Sequence, residues 1–315
     1  MNETPVSVVI PARNSGTDIT DVLTAVFGQQ VDAPLDVVVV DDGSSDNTVS
    51  LANHFPCRVI SSPAGSGSPA RARNLGARES RGDPIVFLDS DCIAQPGWLK
   101  AILQAHGEGH AVVGGAIDMP PGLSFTARAD YLCGFYLVHG QCPRGPVPHH
   151  PPPNLSFRRN AFVASGGFSE AWPLYYTNEE RQPLARLREM RESILFEPDA
   201  AVQHRNRPGL FAMLKRHYRW GFTAIESKHS TRSARMAWLY RWPLVTALSV
   251  PILAIGHSVF IVGLWLRHGR FEIILHVPLV LISRIAYGIG MLAGVADWYR
   301  RRLTHAQPAN RWGSP

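Results

Sequence analysis

Two aspartates one residue apart, Asp89 and Asp91, close an apolar run over residues 85–88, with Ser90 between them. Carboxylates spaced this way at the end of a buried strand can converge on one hard cation, directly or through water, and that cation can neutralise a diphosphate. Asp41 and Asp42 follow the four valines of residues 37–40. A carboxylate delivered by so apolar a run must meet a ligand or a buried partner, because an unpaired buried charge is costly. Asp41 is therefore a candidate acceptor for a base or ribose, whereas Ser44, Ser45 and Asp46 just beyond read as turn chemistry. Arg71, Arg73 and Asn74 lie near the start of a helical segment, where backbone N–H groups and guanidinium groups both favour an anion; Arg73 is the expected nucleotide contact.

These groups need elements that bring them to one edge. Residues 6–10, 36–40, 58–60 and 84–88 read as strands, and the valine-rich ones are too continuously apolar to leave one face in water, which is the mark of a parallel sheet. Between them Ile19, Val22, Leu23, Val26 and Phe27 recur at helical spacing. Asp46 or Asn47 can cap a helix reaching Phe55, and Ser68-Pro69 can start another that runs to Glu79. Strand and helix thus alternate into an open α/β sheet with right-handed crossovers. In such a sheet ligands gather beyond the carboxyl ends of the strands, where Pro11-Ala12-Arg13-Asn14, the Asp41 loop, the Gly65–Pro69 loop with Arg73, and Asp89 to Asp91 all fall. After about residue 115 the pattern loosens into a Pro-rich run, 142–153, expected as an irregular loop with extended pieces. A helix over 179–191, a strand at 194–196 and a basic helix over 210–225 follow.

The chain has 315 residues, 45% hydrophobic and 18% charged, which suits one large or two modest folded domains and not a disordered chain. Its net charge of +6 would suit nucleic acid, anionic lipid or phosphate-bearing substrates. Many arginines gather after Arg181 beside the most apolar part of the chain, with no helix-turn-helix or zinc-finger spacing, so a membrane surface is expected and nucleic acid is not. Cys57, Cys92, Cys133 and Cys142 form no CxxC pair and read as reduced thiols. The first residues show no secretory signal, so the first domain is expected in the cytosol. Residues 243–266 contain no Asp, Glu, Lys or Arg, and 273–296 are interrupted only by Arg284. Each is long enough to cross a bilayer. Lys228, Arg232, Arg235 and Arg241 before the first and Arg300, Arg301 and Arg302 after the second outnumber Arg267 and Arg270 between them, which predicts a hairpin with both ends cytosolic. Arg284 would be costly in lipid unless it faced the partner helix, a water defect or a lipid phosphate, which makes it a candidate polyprenyl-phosphate contact; the alternative is that it snorkels to the interface.

In order along the chain, VSVVIPARN, VVVVDDGSSDNT, ARARNLGARESRGDPIVFLDSDC, NLSFRRNAFVASGGFSE and NEERQPLARL resemble successive segments of the large family 2 of inverting glycosyltransferases. The likeness covers about residues 5–225. It implies a fold of the GT-A type: a Rossmann-like mixed, mainly parallel sheet flanked by helices, here followed by an α-helical membrane-associated hairpin. The catalytic domain would be residues 1–227, with a nucleotide-sugar half (1–115) and an acceptor half (116–227), and residues 228–315 would form the hairpin and a basic tail. Residue by residue, the resemblance gives Pro11, Asn14, Asp41, Arg73, Asp89, Ser90 and Asp91 to the nucleotide sugar, and Asn154, Arg158, Gly166, Gly167 and Phe168 to the sugar and acceptor site. Glu179-Glu180 stands where the family has Glu-Asp, with Arg186-Leu187 following. Glu180 takes the place of the base, Glu179 being the alternative. His204 resembles a histidine that in some members approaches the metal, so Asp91, Asp89 and His204 are the expected holders of Mg2+ or Mn2+.

The implied reaction is a single displacement that moves a sugar from a nucleotide-diphosphate donor to a hydroxyl of a glycan or polyprenyl-phosphate-linked acceptor at the membrane. Only Arg219-Trp220 of the Gln-x-x-Arg-Trp motif of processive members is present, so polymer synthesis through a channel is disfavoured. Two rivals stand beside this reading. Nucleotidyl transfer would call for a glycine-rich, lysine-bearing phosphate loop, which Pro11-Ala12-Arg13-Asn14 is not. A non-catalytic nucleotide-sugar-binding protein would have lost its base through the Glu-Glu substitution.

Overall fold

The computed structural model of the chain describes residues 4–62, 67–171, 177–231 and 237–304. Gly65 and Ser66 of the expected loop, Arg232 and Arg235 of the basic flank, and the tail beyond residue 304 lie outside the described residues. The chain folds as two compact units.

The first unit, Met1–Pro120, Leu137–Glu170 and Glu179–Arg205, holds a nine-stranded mixed sheet. Its leading half is parallel: β1 (Val6–Ala12) lies between β2 (Leu35–Asp41) and β4 (Ile85–Leu88), and β3 (Arg58–Ser61) flanks β2. The valines of β1 and β2 are buried on both faces, which explains their unbroken apolar runs. The remaining strands are β5 (Cys92–Ala94), β6 (Val112–Asp118), β7 (Gly145–Val147), β8 (Asn154–Phe157) and β9 (Ile194–His204). β8 lies antiparallel to β4 and β6, while β9 pairs parallel with β6 and antiparallel with β5 and β7.

Of the helices, α1 (Ile19–Phe27) and α3 (Pro69–Glu79) occupy the expected residues, and the Ser68 hydroxyl caps α3 by accepting from Arg71 N at 3.3 Å. By contrast α2 spans only Thr48–Ala52, because its end tightens into i→i−3 hydrogen bonds from His54 to Leu51 and from Phe55 to Ala52. α4 (Trp98–Gly107) and α6 (Arg159–Ser165) follow, and α7 (Arg181–Glu189) begins just after the glutamate pair. β9 runs eleven residues, not the expected three. Its Glu197-Pro198-Asp199 segment hides the strand in sequence, and the pairing with β6 shifts register there before continuing along β5.

The second unit, Pro121–Tyr136, Ala171–Asn178 and Asn206–Pro315, is helical. It contains α5 (Phe125–Gly134), α8 (Leu210–Ser230), α9 (Ala237–Tyr240), α10 (Pro243–Arg267) and α11 (Ile273–Thr304). The expected division at residue 227 falls inside α8. α10 and α11 have mean hydropathies of 2.0 and 1.8 over their most apolar stretches and are long enough to cross a membrane. α8 packs on α11 backbone to backbone: a Cβ at Gly221 would strike the Tyr287 carbonyl, and one at Gly290 the Tyr218 carbonyl. Arg284 is buried in this unit, where its Nη2 meets His217 Nδ1 at 2.6 Å and its Nε donates to Ser283 Oγ at 3.3 Å. The far nitrogen of His217 lies 3.2 Å from Asp130, which also accepts from Asn206 at 2.8 Å and from Arg216. Arg284 thus sits in an internal polar network and does not reach out to an interface.

Candidate active site

The parallel pairing sets four loops on one edge of the sheet. Ala12 lies opposite Asp41, Asp41 opposite Ser61, and Val9 opposite Phe87, so the segments after β1, β2, β3 and β4 leave the same side. Pro11 lies one residue before the end of β1, beside Val40. Asn14, with φ of 50°, ties the first loop to the second: its Oδ1 accepts from Ser45 N at 2.8 Å, and its N–H donates to Ser44 Oγ at 3.0 Å. Asp41 finds partners within its own loop, accepting from Ser44 N at 3.1 Å and Gly43 N at 3.3 Å. Ser90 shares a hydrogen bond of 2.7 Å with Ser15, joining the first loop to the Asp89–Asp91 segment.

The charged centre is built on Arg73, one turn into α3 and only 4% exposed. Its guanidinium donates to Asp89 Oδ1 at 2.5 Å and to Glu179 Oε1. Burial works against the charge on Arg73, but the two carboxylates outweigh it and hold the group more firmly protonated than usual. Arg73 thus clamps two acids from distant parts of the chain. Glu179 is itself pushed above the ordinary carboxylate range by burial, which exceeds the opposing pull of Arg73.

Glu180 is placed differently. It is 3% exposed; Oε1 lies 3.1 Å from His149 Nε2, and Oε2 is buried with no hydrogen-bond partner among the described residues. Burial, and then the neighbouring charge of Glu179, push its carboxyl up to about 8. A carboxylate of that kind is suited to taking a proton near neutral pH.

Asp91 meets His204 through the pairing of β5 with β9, which sets Cys92 opposite His204 and joins Arg205 N to Asp91 O at 2.9 Å. His204 Nε2 then lies 3.6 Å from Asp91 Oδ1, and the donor atoms of Asp91, Cys92 and His204 fall within 4.8 Å of one another. The carboxylate suits Mn2+ or Mg2+, and the imidazole favours Mn2+ of the two. The Cys92 thiol, which burial and then Asp91 push well above its ordinary value, is a poor donor to a hard ion. The third expected holder, Asp89, has one oxygen committed to Arg73.

Of the five residues expected at the sugar and acceptor site, Asn154 and Arg158 are engaged elsewhere in the fold, and Gly167 shapes the turn that carries Phe168 to Arg73. Asn154 is 1% exposed, and its amide is spent internally: it accepts from Trp98 Nε1 at 2.9 Å and donates to the carbonyls of Ala116 at 2.9 Å and Ala200 at 2.7 Å. Arg158 follows Phe157, which pairs with Ile85 at the start of β4, so the antiparallel course of β8 carries it to the sheet edge opposite Asp89. There it donates to the His106 carbonyl at 2.8 Å. Gly167 has φ of +70°, which a side chain rarely adopts, and a Cβ there would press on Asn74 Oδ1. Its role is to let the turn reach Asn74, whose amide exchanges two hydrogen bonds of 2.9 Å with Phe168 N and O and donates to Glu170 at 2.7 Å. Sequence reasoning missed His149. The Pro-rich run that carries it gives no period, and nothing local tells that this histidine reaches Glu180.

Comparison with known proteins agrees with this geometry. The family model for glycosyl transferase family 2 matches residues 7–165. A pre-mycofactocin glycosyltransferase of Mycobacterium tuberculosis is 30% identical over 248 residues, 73% of this chain and 49% of that protein. The chain thus spans about half the length of the curated relatives it matches. Among solved structures, the mannosyltransferase PcManGT of Pyrobaculum calidifontis, in complex with GDP-Man and Mn2+, superposes with a TM-score of 0.62 at 16% identity, covering 94% of this chain and 88% of the other. Residues 1–349 of Staphylococcus aureus TarS, in complex with UDP-GlcNAc, give a TM-score of 0.53 at 17% identity, covering 95% and 92%. The α/β sheet seen here is thus shared with nucleotide-sugar-dependent enzymes, and the family model, spanning half of the residues, places the chain in glycosyl transferase family 2.

Proposed function

We propose that the chain transfers a sugar from a nucleoside-diphosphate donor to an acceptor hydroxyl, with inversion, at the site formed by Arg73, Asp89, Asp91, Glu179, Glu180 and His204. The observation that carries this reading is the state of Glu180: buried, approached at one oxygen by His149 and without a hydrogen-bond partner at the other among the described residues, with its carboxyl pushed up to about 8. In the proposed step Glu180 takes the proton of the acceptor hydroxyl as that oxygen bonds to the anomeric carbon; the bond to the diphosphate breaks, and the diphosphate leaves with the electron pair. Glu179 is occupied by Arg73, which makes Glu180 the preferred base. Arg73 keeps Asp89 and Glu179 at fixed positions beside the reacting groups, so little rearrangement is needed on binding. A divalent ion, when bound, would offset charge on the departing diphosphate, and Asp91 with His204 are the residues that fit it.

Pro11, Asn14, Asp41 and Ser90 line the loops assigned to the nucleotide. Residues 1–227 are assigned to transfer and 228–315 to membrane attachment, with the catalytic domain on the cytoplasmic face. The arginine-rich ends of the α10–α11 hairpin support that orientation. The same basic flank, close to headgroups, favours a lipid-linked or cell-envelope glycan acceptor. The full chain incubated with a panel of labelled nucleotide sugars and a membrane lipid extract tests the reading. Release of nucleoside diphosphate with labelled product is expected, whereas pyrophosphate release, or binding without turnover, would overturn it.

A further inference from the structure

We propose that His149 is a positioning residue for Glu180: it grips Oε1, turns Oε2 toward the acceptor and eases ionisation of the carboxyl. This rests on the reading of Glu180 as the base. The geometry is specific. His149 Nε2 lies 3.1 Å from Glu180 Oε1, and His149 comes from the Pro-rich 142–153 run, about 30 residues earlier in sequence. Glu180 stands at the N-cap of α7 and makes no side-chain cap hydrogen bond. Glu179 beside it is taken by Arg73.

The carboxyl of Glu180 is faced by Glu179 and Arg181 on its own segment, by Arg73 from α3 and by His149 from the loop between β7 and β8. Of these, His149 brings a ring nitrogen to 3.1 Å from Oε1. The loop that carries it is pinned close by. His150 shares hydrogen bonds of 2.9 Å with the Gly115 carbonyl through one ring nitrogen and with the Pro151 carbonyl through the other. A neutral imidazole donating its Nε2 proton, or an imidazolium, stabilises the ionised carboxylate in either case, and fixing one oxygen limits the rotation of the other. As the acceptor proton passes to Oε2, the imidazole keeps its place and its protons.

The test is the pH profile of kcat/KM of the full chain with a donor it accepts, for wild type, His149→Phe, His149→Gln and Glu180→Gln. His149 is partly exposed, so both replacements are expected to fold, and the affinity for the nucleoside diphosphate measured by calorimetry provides a check independent of turnover. Losing the imidazole contact should displace the acidic limb of His149→Phe upward by about one pH unit, about tenfold lower at pH 7 and recovering above pH 9, while His149→Gln, which keeps an N–H donor, moves back toward wild type. An unshifted limb in His149→Phe, or a loss equal at every pH, overturns the positioning role. Full turnover in Glu180→Gln instead overturns the assignment of the base, so the two failures are told apart.

Discussion

At the scale of single residues, the site is a competition among buried charges. Arg73 is shared by Asp89 and Glu179, and that sharing leaves Glu180 as the acid with an uncommitted oxygen. Glu180→Gln should lower kcat by about 10²- to 10⁴-fold while leaving donor affinity nearly unchanged, checked by steady-state kinetics and calorimetry; Glu179→Gln should instead loosen the Arg73 clamp and weaken donor binding as well. The raised carboxyl of Glu180 also bears on stability. Folded, it keeps its proton up to about 8, whereas unfolded it releases it near the ordinary value of 4.5. The unfolded chain therefore binds fewer protons between those values, so the contribution of Glu180 is complete below 4.5 and is lost as pH rises through 8. Glu180→Gln should flatten the fall in Tm over that window, and an unchanged Tm profile would count against the raised value.

At the scale of elements, strand pairing decides which residues meet. β9 delivers His204 to Asp91 because it runs on past its contact with β6 to pair with β5. His204→Ala should weaken Mn2+ binding by about 10–100-fold, read from spin-resonance titration of the metal without any substrate; unchanged affinity would remove His204 from the set. The antiparallel β8 separates two residues that sequence places together. Asn154→Ala should cost about 3 kcal/mol in urea unfolding, since it strands the Trp98 Nε1 proton and two carbonyls. Arg158→Ala should change stability by about 0.5 kcal/mol or less and leave turnover near wild type, as expected for a partly exposed residue away from Asp89.

At the scale of the molecule, α10 and α11 carry long exposed apolar surfaces, including Leu248, Ile252, Val259, Leu275 and Ile289. Yet α11 is also bound to α8 through glycine contacts, so the helical unit is built by close backbone packing and by the internal Asp130–His217–Arg284 network. Gly290→Leu should force these helices apart and cost about 1–3 kcal/mol or more, seen as a lowered Tm of the detergent-solubilised chain. If the hairpin crosses the bilayer, cysteines introduced at Gly269 and Leu303 should label from opposite sides with a membrane-impermeant reagent, above the labelling of the parent chain. Labelling of both from one side would replace the crossing with surface attachment.

The alternation of valine-rich strands with capped helices was legible because burial on both faces and helix capping are local properties: β1, β2, β4, α1 and α3 lie where the residues alone put them. The acidic positions were legible for the same reason, since a carboxylate at the end of a buried strand stands out within a few residues. The partners of those charges were not. That Arg73 spans Asp89 and Glu179, that Asp41 caps its own loop, that Asn154 is a structural amide and that His149 reaches Glu180 all depend on which strands pair and in which register. Pairing is a non-local choice, made by the whole sheet in burying its apolar residues, and no short window of sequence contains it. The sequence by itself determined that a set of acids and an arginine would stand along one edge of an α/β sheet. Only the tertiary structure decided which of them are spent on one another and which one is left to take a proton.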